Sequence, residues 1–237
     1  MDRIAKIRLE EKLYHDHCYE KFALFEKGSW LYKPVQTVLD IIPYFKGVEP
    51  LEVLDLGAGV GRNSIPIAEA ISIRTGCITC VDLLDSAIEK LKEYSKIYQV
   101  EDRIQVVKQD IATFQIKPNT YDFIIAVSSL EHVRTESELD YVLHGMAEGT
   151  KQKGINCIII NSEVEEVDIK TGLHLEAQME VNLRTADMTN KLKEAYQSWS
   201  VMKHVVKPLE YTIERQGKPV LMKTKAITYV VKNDARL

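Results

Sequence analysis

The residues with the clearest chemical potential form a glycine-rich segment, residues 53–63, with the sequence VLDLGAGVGRN. Gly57, Gly59 and Gly61 stand at every second position after an apolar run, and a helix is predicted to follow them. Because glycine has no Cβ, such a loop turns sharply and its N–H groups approach a ligand closely. The first N–H groups of the helix add donors without intrahelical partners. The segment therefore predicts a ligand site.

The glycine spacing separates two classes of ligand. The dinucleotide fingerprint G-x-G-x-x-G requires glycine or alanine at position 62, where this chain has Arg62. The carboxylate of Asp55, at the strand end, is an unfavourable neighbour for a pyrophosphate and a suitable one for a cation. Both residues disfavour a nicotinamide-dependent oxidoreductase, which stays as an alternative on a similar scaffold.

Two more acids follow predicted strands. Asp82 comes directly after residues 77–81, and Asp110 comes shortly after residues 104–107. Asp82 lies 25 residues after Gly57, close to the offset of about 20 at which an acid reaches a ribose in nucleotide folds. A carboxylate at that point accepts hydrogen bonds from both ribose hydroxyls. Three acids after three strands, behind a glycine loop, therefore predict a ligand that contains a ribose.

The segment 55–61 resembles the first motif of the class I S-adenosylmethionine-dependent methyltransferases. The next residues, Arg62, Asn63 and Ser64, resemble the small-molecule branch, which includes tellurite-resistance and thiopurine-type enzymes. The similarity extends from about Trp30 to the C-terminus. It implies S-adenosylmethionine as cofactor, S-adenosylhomocysteine as product and a small-molecule methyl acceptor.

The resemblance also implies roles for single residues. Asp110 would bind the adenine amine, and backbone groups near Val127 and Ser128 would bind the ammonium of the cofactor. The residues expected to bind the cofactor are Asp55, Gly57, Ala58, Gly59, Gly61, Asn63, Asp82, Leu83, Asp110, Ile111, Val127, Ser128 and Trp30. No metal site is expected, because the C-x-x-C of Cys77 and Cys80 lies in a predicted strand, where residues three apart point to opposite faces.

Glu131 and His132 are the candidate catalytic residues, since they follow the fourth predicted strand, where the acceptor would approach. His132 is expected to titrate near neutrality and to act as a base if the acceptor must lose a proton. A purely local structural role is the alternative for each. Residues 128–131 read SSLE where methyltransferases acting on exocyclic amines of nucleic acids carry (Asn/Asp)-Pro-Pro-(Tyr/Phe), which argues against base methylation.

The elements that must position these residues alternate between strand and helix. Continuous apolar strands in repeated βα units predict a single α/β domain with a doubly wound, mostly parallel sheet and helices on both faces. The resemblance implies a Rossmann-like sheet of seven strands with an antiparallel last strand. The predicted strands are 51–56, 77–81, 104–107, 121–127, 155–160, 199–206 and 226–231, and the helices include 62–74, one capped by Asp85, one capped by Thr135, and 185–195.

The chain of 237 residues is expected to form one domain of four parts. Residues 1–46 are a helical cap, 51–161 the cofactor-binding core, 162–185 an acidic insertion, and 186–237 the substrate-side part of the sheet. The insertion is interpreted either as a substrate lid or as a solvated loop. Tyr14, Tyr19 and Trp30 of the cap region are candidate lid residues, with plain core aromatics as the alternative.

Composition sets the remaining expectations. The net charge is −4, and no basic block is present, so no nucleic-acid partner is expected. No apolar run has the length of a membrane span or the character of a signal peptide, so a cytoplasmic protein without a membrane partner is expected, as a monomer or homodimer. The functional alternative from another class is a non-catalytic protein that binds S-adenosylmethionine or S-adenosylhomocysteine.

Overall fold

The computed structural model describes residues 2–70, 76–215 and 217–234. Its strands are β1 (Leu51–Leu56), β2 (Gly76–Asp82), β3 (Ile104–Lys108), β4 (Tyr121–Val127), β5 (Thr150–Asp168), β6 (His174–Leu175), β7 (Ser200–Arg215) and β8 (Lys218–Lys232). They form one sheet in the order β3-β2-β1-β4-β5-β8-β7, with the short β6 paired to β5. Strands β1 to β5 are parallel, and β8 is antiparallel to both neighbours. The predicted fold class is confirmed, including the antiparallel last strand.

The helices cover both faces of the sheet. They are α1 (Arg3–Lys21), α2 (Gln36–Ile41), α3 (Ser64–Ala70), α4 (Asp85–Ile97), α5 (Glu136–Gly149) and α6 (Thr185–Ala195). One apolar core joins α2, α3 and α4 to one face, through residues such as Val53 and Phe123. The other core joins α5 and α6 to the opposite face, through residues such as Leu54 and Ile124. This double coverage explains why β1 and β4 are buried along almost their whole length instead of at alternate residues.

Of the two predicted helix caps, one is confirmed and the other is wrong. Thr135 is the N-cap of α5, since its Oγ1 accepts a hydrogen bond from the N–H of Glu138 at 3.1 Å. The cap predicted for α4 is wrong: Asp85 is the first residue of the helix, and Leu84 precedes it without a side-chain cap. The turn is ordered instead by Asp82, whose carboxylate accepts from the N–H of Leu84 at 3.0 Å.

The second half of the chain departs most from the predicted boundaries. Strand β5 starts directly after Gly149 and continues to Asp168, so residues 162–168 form sheet and not an inserted loop. Strand β8 pairs with β5 as far as Asp168, and β7 pairs with β8 as far as Lys218. The three strands keep their hydrogen bonds beyond the end of the parallel sheet, since each has a neighbour there to satisfy its backbone groups. Strands β7 and β8 therefore form a hairpin, and Gln216 lies outside the described residues.

Smaller differences concern α3 and β2. Helix α3 begins at Ser64 and not at position 62, and its predicted end near position 74 lies outside the described residues. Strand β2 begins at Gly76, one residue before the predicted start, and Gly76 pairs with Leu51 of β1. Among the helices of the described ranges, none has the length and apolar character needed to cross a membrane.

The packing of β4 yields a test with a matched control. Ile124 is fully buried at the centre of β4, whereas Ile97 on α4 is 59% exposed. We expect Ile124→Ala to lower the free energy of unfolding by about 2–5 kcal/mol, because it removes buried methyl groups and leaves a cavity. Ile97→Ala should change the same free energy by less than about 0.5 kcal/mol. Urea denaturation of the two variants measures both values, and equal losses would contradict the predicted core.

Candidate functional site

A cavity of about 840 Å³ opens at the carboxyl ends of β1, β2, β3 and β4. In open α/β sheets this edge is where ligands bind. Most residues expected to bind the cofactor line it, namely Gly57, Ala58, Gly59, Asn63, Asp82, Leu83, Asp110, Ile111, Val127, Ser128 and Trp30. The exceptions are Asp55 and Gly61.

The glycine loop is anchored to β2. The N–H groups of Gly57 and Ala58 both donate to the carbonyl oxygen of Val81, at 2.8 and 3.1 Å. Gly57 has a φ of +77°, and a Cβ there would lie 2.3 Å from the Cβ of Ser129. Alanine would therefore meet both backbone strain and a clash. Gly59 is less crowded, since only the hydroxyl of Tyr19, at 3.2 Å, lies near the position of an added Cβ.

Asp82 holds the glycine loop through hydrogen bonds and can still accept hydrogen bonds from a ligand. One carboxylate oxygen accepts from the N–H of Gly59 at 2.8 Å, and the other accepts from the N–H of Leu84 at 3.0 Å. A carboxylate has about four acceptor positions, so lone pairs remain available on the side of the cavity. The backbone bonds hold the group in place before any ligand arrives.

Asp110 is engaged by the N-terminal helix. Its Oδ1 accepts from the N–H of Ala112 at 3.0 Å, and its Oδ2 accepts from Nη1 of Arg8 at 2.8 Å. The same guanidinium donates through Nη2 to the carbonyl oxygen of His132 at 3.2 Å. Arg8 thus joins the end of β3 to the segment after β4. Sequence reasoning missed Arg8, because nothing near it in the chain relates it to either strand.

Asp55 and Gly61 support the loop from behind. Asp55 is 1% exposed, and its carboxylate accepts from Oγ of Ser64 at 2.5 Å, which ties β1 to α3. Burial raises the pKa of Asp55 to about 6, against the opposite effect of the bond from Ser64. A Cβ on Gly61 would lie 2.5 Å from Leu91 of α4. Both residues therefore contact neighbouring elements and not the cavity.

Four rings from the N-terminal region form an aromatic cluster that lines the cavity. The ring of His15 lies 5.3 Å from that of Tyr14, 5.6 Å from that of Tyr19 and 5.8 Å from that of Trp30, measured between centroids. All four line the cavity. The three aromatic residues predicted as lid candidates are thus brought together, with His15, which was not predicted, at their centre.

The parts of β5 and β7 that continue beyond the parallel sheet form another wall of the cavity. Arg215, near the end of β7, contacts Glu11 of α1 and Glu166 of β5, each at 2.9 Å. From the segment 162–185, only Met179 and Glu180 line the cavity among the described residues. The wall therefore comes chiefly from the strands of the hairpin, through residues such as Tyr211.

Glu131 does not reach the cavity. Its side chain is fully buried, and Oε1 accepts from both the backbone N–H and the side-chain amide of Asn161, at 3.1 and 2.6 Å. Burial raises the pKa of this carboxyl, against the effect of His132. Asn161 itself lines the cavity, so Glu131 holds a lining residue in place.

His132 lines the cavity, but its protonation state differs from the expectation. Its Nδ1 lies 3.0 Å from the carboxylate of Glu180, which is buried. Burial alone would lower the pKa of His132, but the bond to Glu180 and the charges of Glu11 and Glu131 outweigh it and raise the pKa to about 9. The imidazole is therefore charged at neutral pH, and the expected titration near neutrality is corrected.

A family model described as "Methyltransferase domain" matches residues 53–154, which hold the glycine loop, Asp82, Asp110 and His132. Sterol 24-C-methyltransferase ERG6 of Saccharomyces cerevisiae is 30% identical over 113 residues, 47% of this chain and 28% of that protein. The tRNA1(Val) (adenine(37)-N6)-methyltransferase of Bacteroides thetaiotaomicron is 29% identical over 150 residues, 56% of this chain and 62% of that protein.

TehB of Haemophilus influenzae is similar in both sequence and structure. Under the name "Probable S-adenosyl-L-methionine-dependent methyltransferase TehB", it is 26% identical over 165 residues, 70% of this chain and 51% of TehB. Its crystal structure superposes with a TM-score of 0.60 and 23% identity, over 84% of this chain and 62% of that one. The chain thus spans less than two thirds of the length of each of these three relatives.

The pairing of His132 with Glu180 makes folding stability depend on pH. Since folding raises the pKa of His132 from 6.5 to about 9, the stabilisation is complete below pH 6.5 and is lost as the pH rises through 9. We expect the free energy of unfolding to fall over this interval by about 3 kcal/mol more in the wild type than in His132→Gln. Urea denaturation at a series of pH values measures this, and parallel curves would contradict the charged pair.

Proposed function

We propose that this chain is a class I S-adenosylmethionine-dependent methyltransferase and transfers a methyl group from S-adenosylmethionine to a small-molecule acceptor. The observation that carries the proposal is the convergence of the glycine loop, Asp82 and Asp110 on one cavity. The fold alone does not require a glycine loop and two carboxylates on one side of a single opening.

The residues present fit the cofactor. The cavity volume of about 840 Å³ lies within the range of roughly 300–1,000 Å³ that is usual for small-molecule sites. Because Gly57 and Gly59 have no side chains, the space beside their backbone stays open for the cofactor. Asp82 would hold the ribose hydroxyls with its remaining lone pairs, and Asp110 with Ile111 would hold the adenine. Val127 and Ser128 would hold the amino acid end.

The chain's own task in the reaction is alignment. The sulfonium of the cofactor supplies a methyl group that is already activated, so holding the acceptor in line with it gives most of the acceleration. The aromatic cluster and the wall formed by β7 enclose the space next to the cofactor subsite and exclude water. Asn161, Met179 and Tyr211 line this acceptor end.

A small acceptor fits this enclosure better than a base within a nucleic acid. The names of the relatives include a sterol and a tRNA adenine as acceptors, so they do not choose between these classes. In this chain, Ser128 to Glu131 lack the proline-containing tetrapeptide of exocyclic-amine methyltransferases. Among the described residues, three arginines line the cavity: Arg8 and Arg215 are engaged with carboxylates, and Arg62 donates to the carbonyl oxygen of Trp30.

The cofactor subsite predicts a specific loss of affinity. S-adenosylhomocysteine should raise the melting temperature of the wild type, because a ligand that binds only the native state stabilises it. Asp82→Asn should weaken its binding by about 1–3 kcal/mol, the scale of lost charge-assisted hydrogen bonds. Asp85→Asn, three residues away and exposed, is the matched control and should bind normally. Isothermal titration calorimetry measures all three, and equal affinities would contradict the role of Asp82.

Turnover separates catalysis from binding alone. We expect transfer of radiolabelled methyl groups from S-adenosylmethionine to members of a panel of small hydroxyl and amine compounds, and none to total tRNA. Tight binding of S-adenosylhomocysteine without transfer to any compound would favour the non-catalytic alternative. Transfer to tRNA alone would contradict the small-molecule assignment.

A further inference from the structure

Two histidines from different elements line the same cavity. His15 comes from α1, and His132 comes from the 3-10 helix Leu130–His132 after β4. Resting on the proposed function, we propose that they divide the acid–base work: His15 accepts the proton of the acceptor, and His132 remains charged and holds the acceptor through a hydrogen bond from Nε2. The acceptor class that follows has a hydroxyl or amine group that must lose a proton.

The surroundings of His132 suit a permanent donor. Its Nδ1 is bonded to Glu180 at 3.0 Å, while Nε2 has no partner among the described residues. Glu180 is itself fixed, since Nε of Arg8 lies 3.7 Å from its other oxygen. The ring therefore has one orientation, with a single N–H left to donate into the cavity. A group with a pKa of about 9 stays charged throughout the neutral range.

The surroundings of His15 suit a base. The ring is held among Tyr14, Tyr19 and Trp30, and burial lowers its pKa against the charge of Glu11, so it is neutral at pH 7. Its Nδ1 is buried without a partner, whereas about a quarter of the side chain is exposed. Proton exchange with the cavity therefore goes through Nε2.

Glu11 is the group that both histidines share. One of its oxygens lies 3.7 Å from Nε2 of His15, and the other lies 2.9 Å from Arg215. Burial alone would raise the pKa of Glu11, but the charges of His132, Arg215 and His15 outweigh it and lower the pKa. Glu11 therefore remains ionised and stabilises the imidazolium that forms when His15 accepts a proton.

Separation of two pKa values within one site is the physical sign of an acid and a base with different tasks. The charged groups that act on the two rings come from several elements: Glu11 and Asp16 of α1, Asp82 at the end of β2, Glu131 beside His132, and Glu180 before α6. Three carboxylates act on each ring, so their number does not explain the opposite shifts. His132 has a hydrogen bond to one of its three, Glu180, whereas burial and the charge of His132 lower the pKa of His15.

The proposed step balances as follows. A lone pair on the oxygen or nitrogen of the acceptor forms a bond to the methyl carbon, and the carbon–sulfur bond breaks with its electron pair remaining on sulfur. The proton of the attacking group passes to Nε2 of His15 and from there to water. Carboxylates and thioethers carry no such proton at neutral pH, so they would gain nothing from this base.

Histidine ring NMR between pH 5 and 10 tests the assignment without a known acceptor. His15→Gln and His132→Gln identify the two signals. We expect His15 to titrate below 6.5 and His132 near 9. Glu11→Gln should lower both values, since its charge favours both protonated rings, whereas Glu180→Gln should lower that of His132 and not that of His15. This pattern would establish the two protonation states on which the proposal depends, and turnover tests the role of His15.

The outcomes separate the two proposals. Reversed protonation states at pH 7, or no response of either ring to Glu11→Gln, would overturn the assignment even if S-adenosylhomocysteine binds. Failure of S-adenosylhomocysteine to bind in calorimetry would instead overturn the proposed function. With any hydroxyl or amine acceptor, His15→Gln should slow turnover by about 10²–10⁴-fold while His144→Gln, an exposed control on α5, changes nothing. Transfer to carboxylates or thioethers alone would also contradict the proposal.

Discussion

Parallel pairing of β1 with β2 and β4 is the constraint on which the rest of the structure depends. Parallel strands end at the same edge, so each segment that follows a strand is delivered to one region although the segments are far apart in the chain. The N–H groups of Gly57 and Ala58 then donate to the carbonyl of Val81, the residue before the end of β2, and Oγ of Ser129 donates to the carbonyl of Leu56. These bonds satisfy the edge and at the same time shape the ligand loop.

The other half of the cavity has a different physical origin. Strands β5, β7 and β8 continue beyond the parallel sheet, and α1 packs against their extension. The charges in this region are compensated pair by pair, as in Arg215 with Glu11 and Glu166, because isolated ions are costly where water is largely excluded. These charged side chains therefore bind one another, which leaves them less available to a ligand.

Local pattern predicted the sheet well and its ends poorly. Strands β1 and β4 and helix α6 begin and end where periodicity places them, because apolar runs and capping residues act over a few residues. The length of β5 could not be read in this way, since residues 162–168 are acidic and count as strand only because β8 lies beside them. Pairing partners decide the extent of a strand, and they are remote in sequence.

The sequence by itself determined the fold class and the meeting of the glycine loop, Asp82 and Asp110 on one cavity, because a glycine loop and acids after the first strands are local signals with known positions in a parallel sheet. Only the tertiary structure decided which side chains line the rest of that cavity. His15, Arg8 and Glu11 come from the first turns of the chain, and Glu180 and Arg215 from its second half. Their protonation depends on burial and on distances of 3–4 Å between these segments, and electrostatic effects of that range have no counterpart in sequence spacing.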